Sequence, residues 1–290
     1  MKSFDYAAPT SLTEVSALLS KAEGTTKILA GGTDLLVQLR EHLRDADLVV
    51  DVKRIPELME LSRQPGKGLR LGASIPCYRI YENADVAEAY SALADAARIV
   101  GGWQIQSRAS VGGNLCNSSP AGDTIAPLIA LQAVAVTVGP NGTRQIPVAE
   151  FCTAPGKNVL EPGEIVTTLV FPPPAPNGGS AYLRFIPRNE MDIAVAGVAS
   201  WVRLNAAKDT IEEARVAVAA VAPTPKFAAE ASAWLAGKPV SEQTFAQAGE
   251  LAKKVASPIS DMRGTAEFRL HLVGVLTKRT LAKAVELARV

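Results

Sequence analysis

The hydrophobic and polar positions in the first half of the chain alternate between helical and extended spacing. Val15, Leu18 and Leu19 form one apolar stripe behind the capping pair Ser11 and Glu14, which predicts an amphipathic helix. Helical spacing recurs over 34–42, 85–100 and 124–131. Short apolar runs predict strands over 27–30, 48–52, 68–73, 133–138 and 165–171.

A proline-rich segment over 172–179 separates this half from the rest, because neither a helix nor a strand accommodates it. Beyond it, the pattern predicts strands over 181–186, 193–204 and 211–221, followed by helices over 226–236, 242–256 and 265–288. Strands grouped before helices are typical of an α+β domain with its helices packed on one sheet. We therefore predict an α+β fold with two domains, residues 1–175 and 176–290.

Composition narrows the class of protein. A chain of 290 residues with 48% hydrophobic residues is enough for about two globular domains. The formal net charge of +1 favours neither nucleic acid nor an anionic membrane surface as a partner. No apolar stretch is long enough to cross a bilayer, and the first residues lack the apolar core of a secretory signal. We expect a cytoplasmic protein without membrane insertion.

Two glycine pairs, each placed directly after an apolar run, carry the clearest chemical signal. They lie in the segments Ile28-Leu29-Ala30-Gly31-Gly32-Thr33-Asp34-Leu35 and Ser110-Val111-Gly112-Gly113-Asn114-Leu115. A backbone without Cβ atoms can come close to a ligand, and its N–H groups then point at an anion, most often a phosphate. Two such turns suit a dinucleotide, although each pair alone is also compatible with an ordinary tight turn. Neither a P-loop nor a Rossmann fingerprint is present.

These segments resemble the two flavin-binding signatures of the medium, FAD-binding subunit of the molybdenum hydroxylase family, which includes xanthine dehydrogenase and carbon monoxide dehydrogenase. The resemblance covers essentially the whole chain. It is also carried by Pro120-Ala121-Gly122-Asp123 and by Phe185-Ile186-Pro187-Arg188-Asn189-Glu190-Met191-Asp192-Ile193-Ala194. It implies a two-part N-terminal FAD-binding domain of the vanillyl-alcohol-oxidase/PCMH type. A smaller C-terminal domain with an antiparallel sheet and a helical bundle follows, of the CO dehydrogenase flavoprotein C-terminal type.

The resemblance further implies noncovalent FAD in the N-terminal half, with its diphosphate against both glycine turns. The residues implied to bind it are Ile28, Leu29, Ala30, Gly31, Gly32, Thr33, Asp34, Leu35, Ser110, Val111, Gly112, Gly113, Asn114, Asp123, Ile165 and Arg184. Thr33, Ser110 and Asn114 have side chains able to add hydrogen bonds. Asp34 would repel a phosphate, so its better role is to cap the following helix. Asp123 has two open roles, which are to accept hydrogen bonds from sugar hydroxyls of FAD or to cap the helix after it.

Two positions outside the glycine turns are linked to the flavin ring by the resemblance. Arg184 lies where relatives often carry a lysine near the ring, so it keeps the positive charge but changes the geometry. Ile165 aligns with an apolar residue whose backbone touches the flavin, and it is equally compatible with an ordinary core position.

Cysteine and histidine usage gives no metal site. Cys77, Cys116 and Cys152 are far apart without a C-x-x-C motif, and His42 and His271 are the only histidines. Cys116 is expected to be a small buried side chain beside a turn, with a redox thiol next to the flavin as the alternative. We predict no catalytic residue of the protein itself, because a flavin supplies its own electron-transfer chemistry.

We therefore interpret the chain as an FAD-carrying electron-transfer subunit of a heteromeric molybdenum hydroxylase. The resemblance implies a small partner with 2Fe–2S clusters and a large molybdopterin partner, assembled as a dimer of heterotrimers. Electrons would leave the flavin to NAD+, a quinone or another acceptor. Two alternatives remain open. One is a free-standing flavoenzyme of the same FAD fold, and the other is a non-catalytic nucleotide-binding or assembly protein.

Overall fold

A computed structural model describes residues 2–64 and 66–290, and the beginning of the chain forms a small parallel sheet with two helices. Its elements are β1 (Asp5–Ala7), α1 (Leu12–Lys21), β2 (Thr26–Leu29), α2 (Leu35–Arg40) and β3 (Leu48–Asp51). The strand order is β1–β3–β2, and β3 pairs in parallel with both neighbours. α1 begins as predicted, because the Ser11 hydroxyl accepts a hydrogen bond from the Glu14 N–H. β2 is an edge strand, and the first glycine pair follows its last residue, so this pair lies at the border of the sheet.

The next part of the chain is an antiparallel sheet of five strands covered by short helices. In chain order its elements are β4 (Leu61–Gln64), β5 (Gly68–Gly72), α3 (Cys77–Tyr81), α4 (Ala84–Ala89), α5 (Ser91–Ile99), α6 (Trp103–Gln106), α7 (Val111–Asn117), α8 (Ile125–Ala130), β6 (Val134–Gly139), β7 (Gly142–Pro147), α9 (Val148–Phe151), β8 (Cys152–Ala154), β9 (Lys157–Asn158) and β10 (Ile165–Phe171). The sheet order is β4–β5–β10–β6–β7, while β8 and β9 form a separate hairpin. Leu71, Leu93 and Leu128 are fully buried in the core of this part.

The C-terminal part is a four-stranded antiparallel sheet followed by helices, as the grouping of strands before helices predicts. Its elements are β11 (Gly178–Phe185), β12 (Ala196–Leu204), β13 (Ile211–Ala219), β14 (Lys226–Phe227), α10 (Ala229–Leu235), α11 (Glu242–Ala252) and α12 (Ala266–Ala288). α12 packs on β11 and β12, and α10 packs on β13. Short 3-10 turns at Pro56–Met59 and Lys253–Val255 complete the elements.

The two parts of the chain share a packed interface. Helices α5 and α8 cover the sheet face opposite α12, so β12 and β13 are buried on both sides. The Arg215 guanidinium reaches across to donate hydrogen bonds to the carbonyls of Ile129 and Ala130. The Ala220 N–H donates to the Pro120 carbonyl at 2.7 Å. Within the described residues, no helix combines the length and hydrophobicity needed to span a bilayer.

Three element predictions were wrong in detail. The helix predicted over 85–100 is broken at Tyr90, whose φ of −132° and ψ of 55° lie outside the helical region. The break lets the Tyr90 hydroxyl donate to the Pro172 carbonyl and its ring pack on Phe171. The strand predicted from residue 193 begins at Ala196, and the helix predicted from residue 226 begins at Ala229 after the short strand β14. Periodicity continues through such breaks, so the sequence pattern alone does not mark them.

Candidate functional site

A cavity of about 520 Å³ lies where the parallel sheet meets the second part of the N-terminal half. Both glycine segments line it, although they are far apart in sequence. The predicted site residues in its wall are Ile28, Ala30, Gly31, Gly32, Thr33, Asp34, Leu35, Ser110, Gly112, Gly113, Asn114 and Ile165. The size is within the range of small-molecule and cofactor sites.

The first glycine segment forms a loop of free backbone donors. Within the described residues, the backbone N–H groups of Gly31, Gly32, Thr33, Asp34 and Leu35 have no hydrogen-bond acceptor. Gly32 has a φ of +79°, a conformation that glycine adopts without strain. Consecutive amides of this kind form a concave surface that accepts an anion.

The first glycine segment packs closely against the backbone just before the second segment. A Cβ added to Gly31 would lie 2.8 Å from the Cα of Ala109, just before the second segment. On the other side, a Cβ on Gly112 would lie 2.5 Å from the Ala73 carbonyl oxygen. Glycine at these two positions therefore allows the loop, the second segment and β5 to pack without intervening side chains.

The second glycine pair lies inside a helix rather than in the predicted turn. Ser110 precedes α7, and its hydroxyl accepts a hydrogen bond from the Gly113 N–H at 3.1 Å. The Asn114 carbonyl oxygen accepts hydrogen bonds from the N–H and hydroxyl of Thr124, at 3.3 and 2.7 Å. The Asn114 amide nitrogen thus remains the part of that side chain available to a ligand.

The predicted capping role of Asp34 is wrong. Asp34 precedes α2 with a φ of −93° and a ψ of −48°, and its side chain makes no capping hydrogen bond. Its backbone already has the helical conformation, whereas a capping side chain needs an extended backbone to reach the amides of the first turn. The carboxylate instead lies in the wall of the cavity.

Four predicted site residues are absent from the cavity wall. Leu29 and Val111 are buried in the core behind the two segments. Asp123 and Arg184 form a buried ion pair, with Arg184 Nη1 2.5 Å from an Asp123 carboxylate oxygen. The Tyr182 hydroxyl donates to the other oxygen of Asp123 at 3.3 Å. The charge of Arg184 is therefore neutralised by Asp123 and is not directed into the cavity.

The same ion pair excludes one of the two roles considered for Asp123. Its capping role is wrong, because α8 begins at Ile125 after Thr124 and the Asp123 carboxylate bonds across to β11 instead. Burial raises the pKa of Asp123 to about 6, and the neighbouring Arg184 charge opposes that shift. The role toward sugar hydroxyls stays a prediction.

Several residues of the cavity wall are not predicted by the sequence patterns. They are Thr26, Lys27, Gln38, Arg44, Ser74, Asn117, Asn158, Leu160 and Glu164. Gln38 and Asn117 connect α2 to α7, since the Gln38 amide donates to Asn117 at 3.3 Å. Asn158 donates to the Cys116 carbonyl at 2.9 Å. These contacts depend on the packing of distant segments, for which local patterns carry no signal.

Cys116 also lies in the wall of the cavity, next to the second glycine pair. Burial raises the pKa of its thiol to about 12, with the neighbouring Cys152 contributing in the same direction. The thiol is therefore protonated near neutral pH, which is unfavourable for a reactive redox cysteine.

Two family models account for most of the chain. Residues 2–174 match the FAD binding domain in molybdopterin dehydrogenase, and residues 181–284 match the CO dehydrogenase flavoprotein C-terminal domain. The chain belongs to the FAD-binding medium subunits of the molybdenum hydroxylase family. These matches confirm the family and the α+β fold class predicted from the sequence. They also confirm the prediction that the chain is a subunit of an FAD-dependent oxidoreductase.

Individual relatives agree with this assignment. A putative xanthine dehydrogenase FAD-binding subunit of Escherichia coli (strain K12) is 34% identical over 263 residues, covering 90% of this chain and 89% of that protein. The carbon monoxide dehydrogenase medium chain of Hydrogenophaga pseudoflava is 31% identical over 281 residues, covering 97% and 96%. A solved structure of carbon monoxide dehydrogenase from Hydrogenophaga pseudoflava superposes with a TM-score of 0.93 at 30% identity, covering 99% of this chain and 98% of that chain. Quinoline 2-oxidoreductase from Pseudomonas putida 86 gives a TM-score of 0.91 at 28% identity over the full length of both chains.

Proposed function

We propose that this chain holds one FAD noncovalently in the 520 Å³ cavity and serves as the electron-transfer subunit of a heteromeric molybdenum hydroxylase. The observation that carries the proposal is the run of free backbone amides from Gly31 to Leu35, facing the second glycine pair across a shared cavity. An N–H donor in a site of low water content binds a phosphate oxygen strongly. The diphosphate of FAD matches a wall in which donors come from both segments.

The chain's own residues would fix the cofactor in place. We assign the diphosphate to the backbone around Gly31, Gly32, Gly112 and Gly113, with hydrogen bonds from the side chains of the adjoining polar residues. When bound, FAD accepts electrons singly or in pairs and passes them on, while the protein supplies binding, orientation and electric field. We place the boundary between the FAD-binding domain and the C-terminal domain after residue 175.

Hydrogen bonds from β1 and from the segment after β3 hold the backbone at the start of the first glycine loop. Lys53 Nζ donates to the Ala30 carbonyl at 2.6 Å and pairs with Asp51 at 3.0 Å. The Tyr6 hydroxyl donates to the other oxygen of that carboxylate at 2.9 Å. This chain of bonds fixes the carbonyl just before Gly31 and so restrains the backbone of the loop that lines the cavity.

The partners of the chain are proposed from its relatives. Several are named as medium chains or FAD-binding subunits, and one as a subunit of a dehydrogenase complex. One similar chain of known structure belongs to a carbon monoxide dehydrogenase that lacks the Mo-pyranopterin moiety of its molybdenum cofactor, and another belongs to a carbon monoxide dehydrogenase with copper and molybdenum. We propose a small subunit with 2Fe–2S clusters and a large molybdopterin subunit, arranged as a dimer of heterotrimers in the cytoplasm. The acceptor of the electrons would be NAD+, a quinone or another oxidant.

The purified chain should be yellow and should release its flavin without a covalent bond. After acid precipitation, the FAD absorbance is expected in the supernatant, because only backbone and side-chain hydrogen bonds hold it. The measurement is the flavin absorbance of supernatant and pellet, with chromatography to distinguish FAD from FMN. Colour retained in the pellet would show a covalent link. A folded protein that stays colourless after incubation with FAD would overturn the proposal and favour a non-catalytic scaffold.

The chain should be isolated from its native host together with two other proteins. Capture through an affinity tag is expected to recover a small iron–sulfur protein and a large protein containing molybdenum, identified by mass spectrometry and metal analysis. Substrate oxidation should require all three, because we assign the substrate site to the large partner. Recovery of the chain by itself with full turnover of a substrate would instead identify a free-standing flavoenzyme.

A further inference from the structure

Two cations line the cavity next to the first glycine loop, and sequence patterns do not predict them. Lys27 lies on β2, directly before the loop, and Arg44 lies in the connection from α2 to β3. Both side chains are half-buried. Within the described residues neither forms an ion pair or a side-chain hydrogen bond. Arg44 also approaches the β8–β9 turn, since a Cβ on Gly156 would lie 3.6 Å from its Nη2.

The two cations are close enough to influence each other. Burial and the Arg44 charge both lower the pKa of Lys27. Arg44 also attracts the Asp34 carboxylate, which lies in the same wall but beyond ion-pair distance. Like charges placed together in a partly desolvated wall are unfavourable unless an anion joins them. Glu164, the other carboxylate of this wall, is paired with Arg144 at 2.5 Å. Among the described residues of the wall, Lys27 and Arg44 therefore outnumber the one remaining carboxylate, and the wall keeps a positive excess toward the cavity.

The same wall contains the free amides of Gly31 to Leu35. Amides and cations together form a donor set for a group with several charged oxygens, as a diphosphate has. We propose that Lys27 and Arg44 neutralise the diphosphate of the bound dinucleotide, so that retention of FAD depends on these two side chains as well as on the glycine backbone. This inference rests on the proposed function of the cavity.

The arrangement has a consequence for the choice among flavins. Riboflavin has no phosphate, FMN has one and FAD has two, so the contribution of the cations to affinity should rise in that order. Attraction between charges is screened by salt, so this contribution should also weaken as ionic strength increases. The glycine backbone alone would give a smaller salt dependence, because neutral amides carry no net charge.

The test measures dissociation constants of the full chain for FAD, FMN and riboflavin by flavin fluorescence at several salt concentrations. The variants are Lys27→Gln, Arg44→Gln and the double variant, with Arg44→Lys as the charge-preserving form. Lys21→Gln is the matched control, because Lys21 is an exposed cation at the end of α1. Each removed charge is expected to weaken FAD binding about tenfold, as for a well-placed charge-assisted hydrogen bond. Riboflavin affinity should change less than about twofold, within the scatter expected of a surface substitution.

The outcomes separate this inference from the proposed function. Wild-type protein that binds FAD, together with a salt-sensitive loss in Lys27→Gln and Arg44→Gln and partial recovery in Arg44→Lys, supports the role of the cations. FAD affinity in both variants equal to that of Lys21→Gln overturns it and leaves FAD binding itself intact. Equal losses for riboflavin and FAD also overturn it, because the effect would then be on the fold of the cavity. Wild-type protein that binds no FAD refutes the function of the cavity instead.

Discussion

Replacement of Gly31 by alanine is expected to abolish FAD retention while leaving the C-terminal domain folded. The added Cβ would lie 2.8 Å from the Cα of Ala109 and equally close to the Arg108 carbonyl carbon. Both neighbours are backbone atoms, so no side chain can turn away, and the two glycine segments must move apart. Overpacking of this kind costs about 1–3 kcal/mol. Because it also separates the two segments to which we assign the diphosphate, we expect FAD affinity to fall about 100-fold or more, equivalent to roughly 2.8 kcal/mol.

The matched control is Gly102→Ala, since Gly102 lies in the same domain with an extended φ of −131°. A Cβ there would lie 3.2 Å from the Gln104 side chain, which can rotate aside. The flavin-to-protein ratio and the dissociation constant for FAD give the comparison, and circular dichroism reports the fold. If Gly31→Ala binds FAD as tightly as Gly102→Ala does, close packing of the two segments is not required for the site. A Gly31→Ala protein that is unfolded throughout would also contradict the expectation.

The elements that periodicity predicts well are those that bury one continuous apolar face. The strand ending at Phe171 and the long helix α12 were predicted nearly at their observed bounds, because each packs along its whole length. The second glycine pair was predicted as a turn and is found in α7. Glycine lowers helix propensity, but here the Ser110 cap and the close packing against Ala73 stabilise a helix that propensity alone disfavours.

The residues of the candidate site likewise fall into those that local motifs predict and those that only tertiary packing places there. The two glycine segments are local motifs, and both line one cavity in the structure. Arg44 and Asn158 reach that cavity from a loop and from a short hairpin, whose positions depend on tertiary packing. Arg184 was predicted near the flavin by resemblance, yet the partner that neutralises it, Asp123, is distant in sequence. Pairings of this kind depend on how the two parts of the chain pack together, and local sequence patterns give no indication of them.

Loss of the buried ion pair between Asp123 and Arg184 should give the largest effect on stability. The two side chains are 12% and 6% exposed, so removing one charge leaves the other buried and uncompensated. Breaking a buried pair by removing one partner costs about 3–5 kcal/mol. We expect Arg184→Gln to lower the free energy of unfolding by about this amount at pH 8, where Asp123 is ionised.

The pH dependence of this loss follows from the pKa of Asp123. In the folded protein that pKa is about 6, above its ordinary value of 3.8, so the folded state binds the proton more tightly than the unfolded state. The contribution of this group to stability is therefore highest at low pH and decreases between pH 4 and 6. Removing the Arg184 charge raises the pKa further, so the decrease extends to higher pH. At pH 5 the carboxyl of the variant is protonated, and the loss caused by Arg184→Gln should be smaller than at pH 8.

Urea denaturation of the full chain from pH 5 to pH 8 measures this difference. The double variant Asp123→Asn with Arg184→Gln has no ionisable group at this position, so it should recover stability at pH 8 and lose the additional pH dependence of Arg184→Gln. Asp123→Asn alone keeps a buried arginine without its carboxylate and should be destabilised at both pH values. Thr210→Ser provides a conservative control far from the pair, in the turn before β13. Equal losses for Arg184→Gln at pH 5 and pH 8 would show that packing of the arginine side chain, and not its charge, stabilises the interface between β11 and the N-terminal half.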